Sequence, residues 1–332
     1  MNLSVTYFQK IFLGILFFFT PNFNAQTCCS GGIPLSNNIG LPLLEKGTLQ
    51  LGASYDYNNL NTLNNGTEKL DDNSRLRVTH SILINTSYAI SNNFSAEGLF
   101  TWVNQRRNIS QFGNNNLDQT SGIGDAVVLL KYDVSKLFPK IIGKNSSLQF
   151  GLGTKIPLGS STETNDQNIT LNADLQPGSN AWDAIFLSSF SSSFNFRPSL
   201  SYTLRAIYRS TGTNDSYLEN STYKFGNEFQ AFLNFSDQFV FLKTLVNPSI
   251  SFKYRDAQLD QIGGFDLDNT GGNWVSLIPN FSINITENIA FSTKAELPLY
   301  NNVDGTQLTP TYRITTGILF IIKPKEKLQI LN

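Results

Sequence analysis

Few residues in this sequence have the types and spacing that catalysis needs. A serine hydrolase pairs its nucleophile with a histidine base, and the only histidine here is His80. It lies between Val78 and Ile82 on the apolar side of an alternating segment, with no serine motif near it, which favours a position in a wall. The residue types therefore predict no catalytic residue, no cofactor and no enzyme.

The two cysteines, Cys28 and Cys29, are adjacent in the sequence. Adjacent residues do not easily adopt disulfide geometry with each other. Three functions are possible for the pair: soft-metal capture, an intermolecular disulfide or lipidation of Cys28. The alternative without a function is an N-terminal segment that carries two ordinary thiols. No histidine or further cysteine lies nearby for a closed zinc site, so the pair is a weak metal candidate and no metal is expected.

Charged side chains on the polar face of alternating segments are the main candidates for function. They either line a water-filled passage or form ion pairs with one another that stabilise the wall of the protein. Both signs are present, which favours neither cation nor anion selection. The candidate lumen-lining residues are Glu97, Asp125, Lys131, Lys155, Asp183, Arg205, Arg209, Glu228, Lys253, Arg255, Lys294, Glu296 and Arg313.

The elements that position these side chains are predicted from a two-residue period. In SISFKYR (249–255), Ile250, Phe252 and Tyr254 alternate strictly with polar or charged residues. Many such segments have 12 residues or more, whereas strands of a soluble β-sandwich have about 5 to 6 and a tilted spanning strand needs about 9 to 11. The predicted strands are 47–57, 75–90, 93–104, 121–134, 146–158, 181–193, 198–210, 222–235, 244–256, 271–285, 288–299 and 310–323.

The connections between these strands alternate in length, which predicts an all-β, up-and-down antiparallel transmembrane β-barrel of about 12 strands. Short turns then face the periplasm, together with both termini, and long loops face outward. The long loops are 58–74, 105–120, 159–180, 211–221, 257–270 and 300–309. Aromatic residues near strand ends fit the girdles at membrane interfaces, namely Trp102, Tyr132, Trp182, Tyr254 and Tyr312.

Composition excludes several other classes of protein. No apolar stretch after the N-terminal run reaches the roughly 20 residues of a transmembrane helix. Charged residues make up 15% of the chain, against about 25% in typical soluble domains, and the formal net charge of −1 offers no basic surface for a nucleic acid.

The N-terminus has the pattern of a signal peptide. Lys10 precedes the apolar run IFLGILFFF (11–19), which is too short to span a bilayer and is ended by Pro21. We therefore expect a signal peptide over 1–25, a periplasmic segment over 26–46 near or inside the barrel mouth, a transmembrane β-barrel over 47–323 and a periplasmic tail over 324–332. The expected location is the outer membrane of a Gram-negative bacterium.

Three central motifs carry a family resemblance. SGIGDAVVLLKY (121–132), GLGTKIPLG (151–159) and NAWDAIFL (180–187) resemble the outer-membrane barrels of the MetA-pathway phenol-degradation family, whose members are often described as transporters. The resemblance covers a small central part of the chain. It implies uptake of small, often hydrophobic molecules and supplies no catalytic residues.

The predicted function is an outer-membrane channel or transporter for small molecules, hydrophobic ones included. Apolar residues at inward positions would suit such cargo, namely Val127, Leu129, Ile185, Leu187, Ile207 and Phe232. The alternatives are a structural or assembly barrel that serves a partner complex, favoured if the lumen is plugged, and an outer-membrane hydrolase. The expected partners are membrane lipid and a small solute, with no nucleic acid, and the oligomeric state stays open.

Overall fold

The computed structural model describes residues 26–27, 39–111, 114–135, 137–138, 142–143, 145–218 and 220–324. The predicted signal peptide, Cys28, Cys29 and almost all of the predicted C-terminal tail lie outside the described residues.

Within the described residues, twelve long strands form the wall of a closed barrel, and each pairs antiparallel with the next. Strand β12 pairs with β1 from Ile322↔Leu49 to Tyr312↔Asn59, which closes the sheet and leaves no open edge. The predicted fold class is confirmed. The strands are β1 (Leu49–Leu60), β2 (Arg75–Ala89), β3 (Phe94–Gln111), β4 (Ala126–Asp133), β5 (Ser146–Ile156), β6 (Asp183–Phe194), β7 (Arg197–Ser210), β8 (Glu228–Ser236), β9 (Thr244–Ala257), β10 (Gly272–Thr286), β11 (Ile289–Thr309) and β12 (Tyr312–Ile322).

Several predicted boundaries are corrected by the pairing. The predicted loop 300–309 is the end of β11, which runs to Thr309 and pairs with a short strand, Thr62–Gly66, inside the predicted loop 58–74. That strand forms a hairpin with Glu68–Leu70. The region 105–120 is a β-hairpin and not an irregular loop, because β3 runs on to Gln111 and pairs with the strand Asn114–Ile123 that leads into β4. The predicted strand 222–235 is two strands, a short one at Ser221–Lys224 and β8. Gly226 separates them, since a side chain there would lie against the carbonyl of Gln258.

The outer face of the wall is apolar. On paired strands, outward residues such as Ile82, Phe100, Leu130 and Phe252 are 43 to 47% exposed, whereas the residues beside them in sequence point inward and are buried or partly buried. A surface of this kind is stable against lipid and costly in water, so the barrel spans a membrane. The structure contains no helix, within its described residues, that is long and apolar enough to cross a membrane.

The two ends of the barrel differ. One end, here the turn end, carries short connections such as 90–93 and 287–288, and the other, here the loop end, carries the long ones. At the loop end, the strands Thr213–Tyr217, Ser221–Lys224, Gln261–Ile262 and Phe265–Asp266 form a separate four-stranded loop sheet. By the rule for bacterial barrels, we expect the turn end to face the periplasm.

One long connection turns into the barrel. Residues 171–179, here called the inward loop, are buried except for the partly buried Asn172, although they belong to the predicted external loop 159–180. That prediction is wrong for these residues. Ala173 packs with Tyr217, Tyr223 and Phe225 under the loop sheet, so this apolar part of the loop is removed from water by folding inward.

Candidate functional site: the barrel interior

Residues 39–41, here called the N-terminal insert, lie inside the barrel. The backbone N–H groups of Gly40 and Leu41 donate hydrogen bonds to Glu97 Oε1 and Oε2, over 2.8 and 3.1 Å. Glu97 also pairs with Lys131 Nζ at 2.7 Å, and Lys131 donates to the carbonyl of Leu41. The guanidinium of Arg205 donates to the carbonyls of Ile39 and Gly40, over 2.9 and 3.0 Å. Three wall strands thus hold one short piece of backbone.

Gly40 suits this position for a physical reason. Its φ is +83°, a conformation that other residues rarely adopt, and a Cβ atom would lie 3.0 Å from Cζ of Arg205. A larger residue would therefore push the N-terminal insert away from Glu97, Lys131 and Arg205, here called the clamp.

An apolar cluster includes Ile39 of the N-terminal insert. Ile39 is 2% exposed and lies among inward wall residues, namely Leu83, Leu99, Val127, Leu129, Ile185, Leu187, Ile207 and Phe232. The inward apolar residues that were expected to suit a hydrophobic cargo are therefore packed into a core around Ile39. Their burial stabilises the insert instead of leaving an open apolar passage.

The inward loop is bound by a second cation nearer the loop end. Arg77 forms an ion pair with Asp174 at 2.7 Å and donates a further hydrogen bond to the Asp174 carbonyl at 2.6 Å. Gln105 donates to the carbonyls of Leu175 and Gln176 at 3.2 and 3.3 Å. Arg77 and Asp174 were not among the predicted site residues. The position of Arg77 on the polar face of its strand is the signal that could have found it, whereas a loop residue such as Asp174 gives no periodic signal.

The three motifs of the family resemblance meet in one buried ion cluster. Lys155 Nζ lies 3.2 Å from Asp125 and 3.0 Å from Asp183, and all three side chains are at most 2% exposed. Asp125 also accepts hydrogen bonds from the backbone N–H groups of Gly159 and Ser179, both over 3.1 Å. These residues come from 121–132, 151–159 and 180–187, except Ser179, which belongs to the inward loop. The cluster therefore ties the inward loop to the wall.

The ion cluster continues across neighbouring strands. Arg209 lies 3.9 Å from Asp183 and 3.2 Å from Glu228, and Arg255 lies 2.9 Å from Glu228. Arg255 also stacks over Trp274, 4.5 Å from the ring centroid. Separate pairs join Lys253 to Glu296 at 2.9 Å and Arg313 to Asp56 at 2.8 Å, and Asp56 too was missed by the sequence. Every predicted lumen residue is buried or partly buried, and most of their charges are paired across the wall.

A polar cavity of about 350 Å³ lies in the half of the lumen nearer the turn end. Hydroxyl and amide groups dominate its lining, and Arg205 and Lys294 are its charged members. Among the described residues, no carboxylate lines it. The full lining is Ser54, Thr203, Arg205, Phe232, Asn234, Ser249, Ser251, Ile278, Asn280, Ser282, Ser292, Lys294, Thr315 and Gly317.

The loop sheet contains a titratable contact outside the membrane wall. The hydroxyl of Tyr223 donates to Asp260 Oδ2 over 2.6 Å, and the N–H of Gly226 donates to Oδ1 over 2.7 Å. Burial raises the pKa of Asp260, and it outweighs these two hydrogen bonds, which lower it. Burial also raises the pKa of Tyr223, with the nearby Asp260 charge adding to the effect.

The residues considered for catalysis or metal binding are placed elsewhere. His80 is partly exposed on the wall, with Nδ1 2.6 Å from the hydroxyl of Tyr55 and its ring edge-on to Tyr57. Among the described residues no group of three or more His, Cys, Asp or Glu could hold a metal ion. Cys28 and Cys29 are not among these residues.

Comparison with solved structures identifies the fold. An outer membrane channel from Pseudomonas putida aligns with a TM-score of 0.64 and 14% identity, over 87% of this chain and all of that one. The β-domain of the Bordetella autotransporter BrkA aligns at 0.46 and 9% identity, over 83% of this chain and 100% of that one, and the KdgM porin at 0.40 and 11%, over 81% and 98%. These two lower scores do not establish a common topology. No protein-family model and no curated protein sequence matches the chain.

The closed wall and the apolar outer surface agree with this comparison, because closed barrels of this kind are the strand-built solution for spanning a membrane. The chain is a bacterial outer-membrane β-barrel, and it has the fold of a solved outer-membrane channel.

Proposed function

We propose that this protein is an outer-membrane channel for small solutes. The observation that carries the proposal is the polar cavity of about 350 Å³ inside a barrel whose interior charges are mostly paired. A barrel that served only as a scaffold could fill this space with side chains, as small barrels do. The cavity is instead lined by hydroxyl, amide and cationic groups that can replace the water around a solute.

Two elements narrow the path. The N-terminal insert occupies the lumen between Glu97 and Arg205, and the inward loop occupies it between Arg77 and Asp125. Passage therefore requires a narrow route beside them or a displacement of one of them. These inserts also favour the alternative function, a structural or assembly barrel, if neither one can move.

The cargo belongs to the proposal as well. The resemblance to the MetA-pathway phenol-degradation barrels adds small hydrophobic molecules as candidates. The packing of Ile39 onto the inward apolar residues gives that class of cargo no open lining, whereas the polar cavity suits hydrophilic solutes. We propose no catalytic activity, because His80 lies on the outer wall with tyrosines as its neighbours.

The test is conductance of the purified full-length protein in planar bilayers, together with swelling of liposomes that contain it. We expect small, discrete conductance steps and swelling in small sugars. Absence of both, in the wild-type protein and also in a variant with a weakened clamp such as Glu97→Ala, would contradict the channel and favour the structural barrel.

A further inference from the structure

We propose that the polar cavity is a binding site for a small, hydroxylated organic anion, such as a sugar acid. The proposal rests on the proposed channel function, because it names the class of solute that the path selects. Three features support it: the cations that line the cavity, the position of the carboxylates outside the lining, and the hydroxyl and amide groups of the lining.

The charges that face the cavity are both positive. Arg205 comes from β7 and Lys294 from β11, so the two cations approach the space from different parts of the wall. The hydrogen bonds from Arg205 to the N-terminal insert end on two carbonyl oxygens, which accept protons but carry no net charge. Glu97 also acts on Arg205 electrostatically, but it lies outside the cavity lining, so the guanidinium presents its positive charge to the cavity.

Among the described residues, the carboxylates of this region are absent from the lining, and each forms an ion pair with a cation that also lies outside it. Asp56 and Glu296 act electrostatically on Lys294 as well. Glu97 pairs with Lys131, Glu296 with Lys253, and Asp56 with Arg313. Thr315 also donates to Asp56, at 2.6 Å. An anion that entered the cavity would thus meet two cations without a lining carboxylate to repel it, in surroundings where charges act more strongly than in water.

The uncharged lining fits a hydroxylated solute. Serine hydroxyls from β9, β10 and β11 and the amides of Asn234 and Asn280 offer both donors and acceptors, as a sugar acid requires. Phe232 and Ile278 give one apolar contact for a carbon skeleton. The volume of about 350 Å³ lies at the small end of ligand pockets, which favours a single small solute over a chain.

The experiment measures ion selectivity and binding with gluconate as the probe and sorbitol as its neutral match. For the wild-type channel we expect anions to permeate better than cations in a KCl gradient, and gluconate but not sorbitol to reduce the chloride current. Lys294→Gln removes a lining cation, and Ser292→Asp adds a lining carboxylate while leaving both cations in place. Either change should weaken the gluconate effect about tenfold. Asn195→Asp is the matched control, because it adds the same charge at an exposed turn outside the cavity.

The outcomes separate the site from the channel. Conductance without anion preference, or with a gluconate effect that all variants share equally, would overturn the anion site and leave the channel intact. If the protein does not conduct, the channel fails. Calorimetric titration of gluconate into the detergent-solubilised wild-type and Ser292→Asp proteins then decides the site by itself, and equal or absent heats in both would overturn it.

Discussion

The carboxylate of Glu97 accepts a hydrogen bond from the backbone N–H of Gly40 over 2.8 Å, inside a barrel whose wall supplies Glu97 and whose N-terminal segment supplies Gly40. A side chain of β3 therefore controls the position of a backbone segment that precedes β1. Because Glu97 also holds Leu41 and pairs with Lys131, its loss removes several contacts of the N-terminal insert together.

The first prediction concerns this clamp. Glu97→Ala should raise the single-channel conductance and the rate of conductance fluctuations, because the N-terminal insert loses two hydrogen bonds and Lys131 loses its buried partner. Removing one partner of a buried ion pair costs about 3 to 5 kcal/mol. Glu68→Ala, at an exposed position of the short strand Glu68–Leu70, is the control and should leave the recordings unchanged. A closed or unaltered Glu97→Ala channel would show that the insert does not limit passage.

The second prediction concerns topology. An epitope tag inserted at the exposed residues 166–168 should bind antibody on intact cells, since this part of the 159–180 connection lies at the loop end. Tags at Asn92 or Glu287 should become reachable only after the outer membrane is permeabilised. A tag between residues 174 and 176 should not be reachable on intact cells, because the inward loop is buried. The reverse pattern would invert the orientation of the barrel.

The third prediction compares adjacent residues on opposite faces of β9. Phe252→Arg places a charge against lipid, which costs about 2 to 4 kcal/mol near the bilayer midplane, so the folded fraction should fall. Ser251→Arg points into the cavity and should fold normally. The heat-dependent shift of the folded barrel in SDS gels measures both. Equal folding of the two variants would contradict the assigned faces.

The fourth prediction concerns the buried ion cluster. Lys155→Ala should lower the urea midpoint of unfolding, because it leaves Asp125 and Asp183 buried without their common cation, and a loss of about 3 to 5 kcal/mol is expected. The variant Lys155→Ala with Asp125→Asn should recover part of the loss, since one buried charge is then removed. A midpoint equal to that of the wild type would mean that the cluster contributes no stability.

The fifth prediction is the pH dependence of the loop sheet. The pKa of Asp260 is higher in the folded state than the ordinary value of about 3.9, so its contribution to stability is present below that value and is lost as pH rises through the raised folded pKa. The rate of loop cleavage by protease, taken as the ratio of wild type to Asp260→Asn, should therefore increase with pH. The ratio cancels the pH dependence of the protease. A ratio that is flat across this window would remove Asp260 as the cause.

Local sequence determined the wall. In β9, Ile250, Phe252 and Tyr254 face lipid because successive side chains of a strand point to opposite faces, and this period of two can be read without knowing any partner strand. The same rule placed charges such as Lys155 and Glu228 on the inner face. The number of long segments and the alternation of short and long connections then predicted the closed barrel.

Tertiary structure decided what the lumen contains. Asp174 and Gly40 lie in irregular segments without a period, so their positions depend on partners 97 and 57 residues away in the sequence, Arg77 and Glu97. The period of two assigns a charged side chain to the inner face but does not say which opposite charge it meets. The ion pairs depend on the register between strands and on the depth of each residue in the barrel. The sequence therefore determined the faces of the strands, whereas only the folded barrel decided which inner charges pair and that Arg205 and Lys294 line the polar cavity.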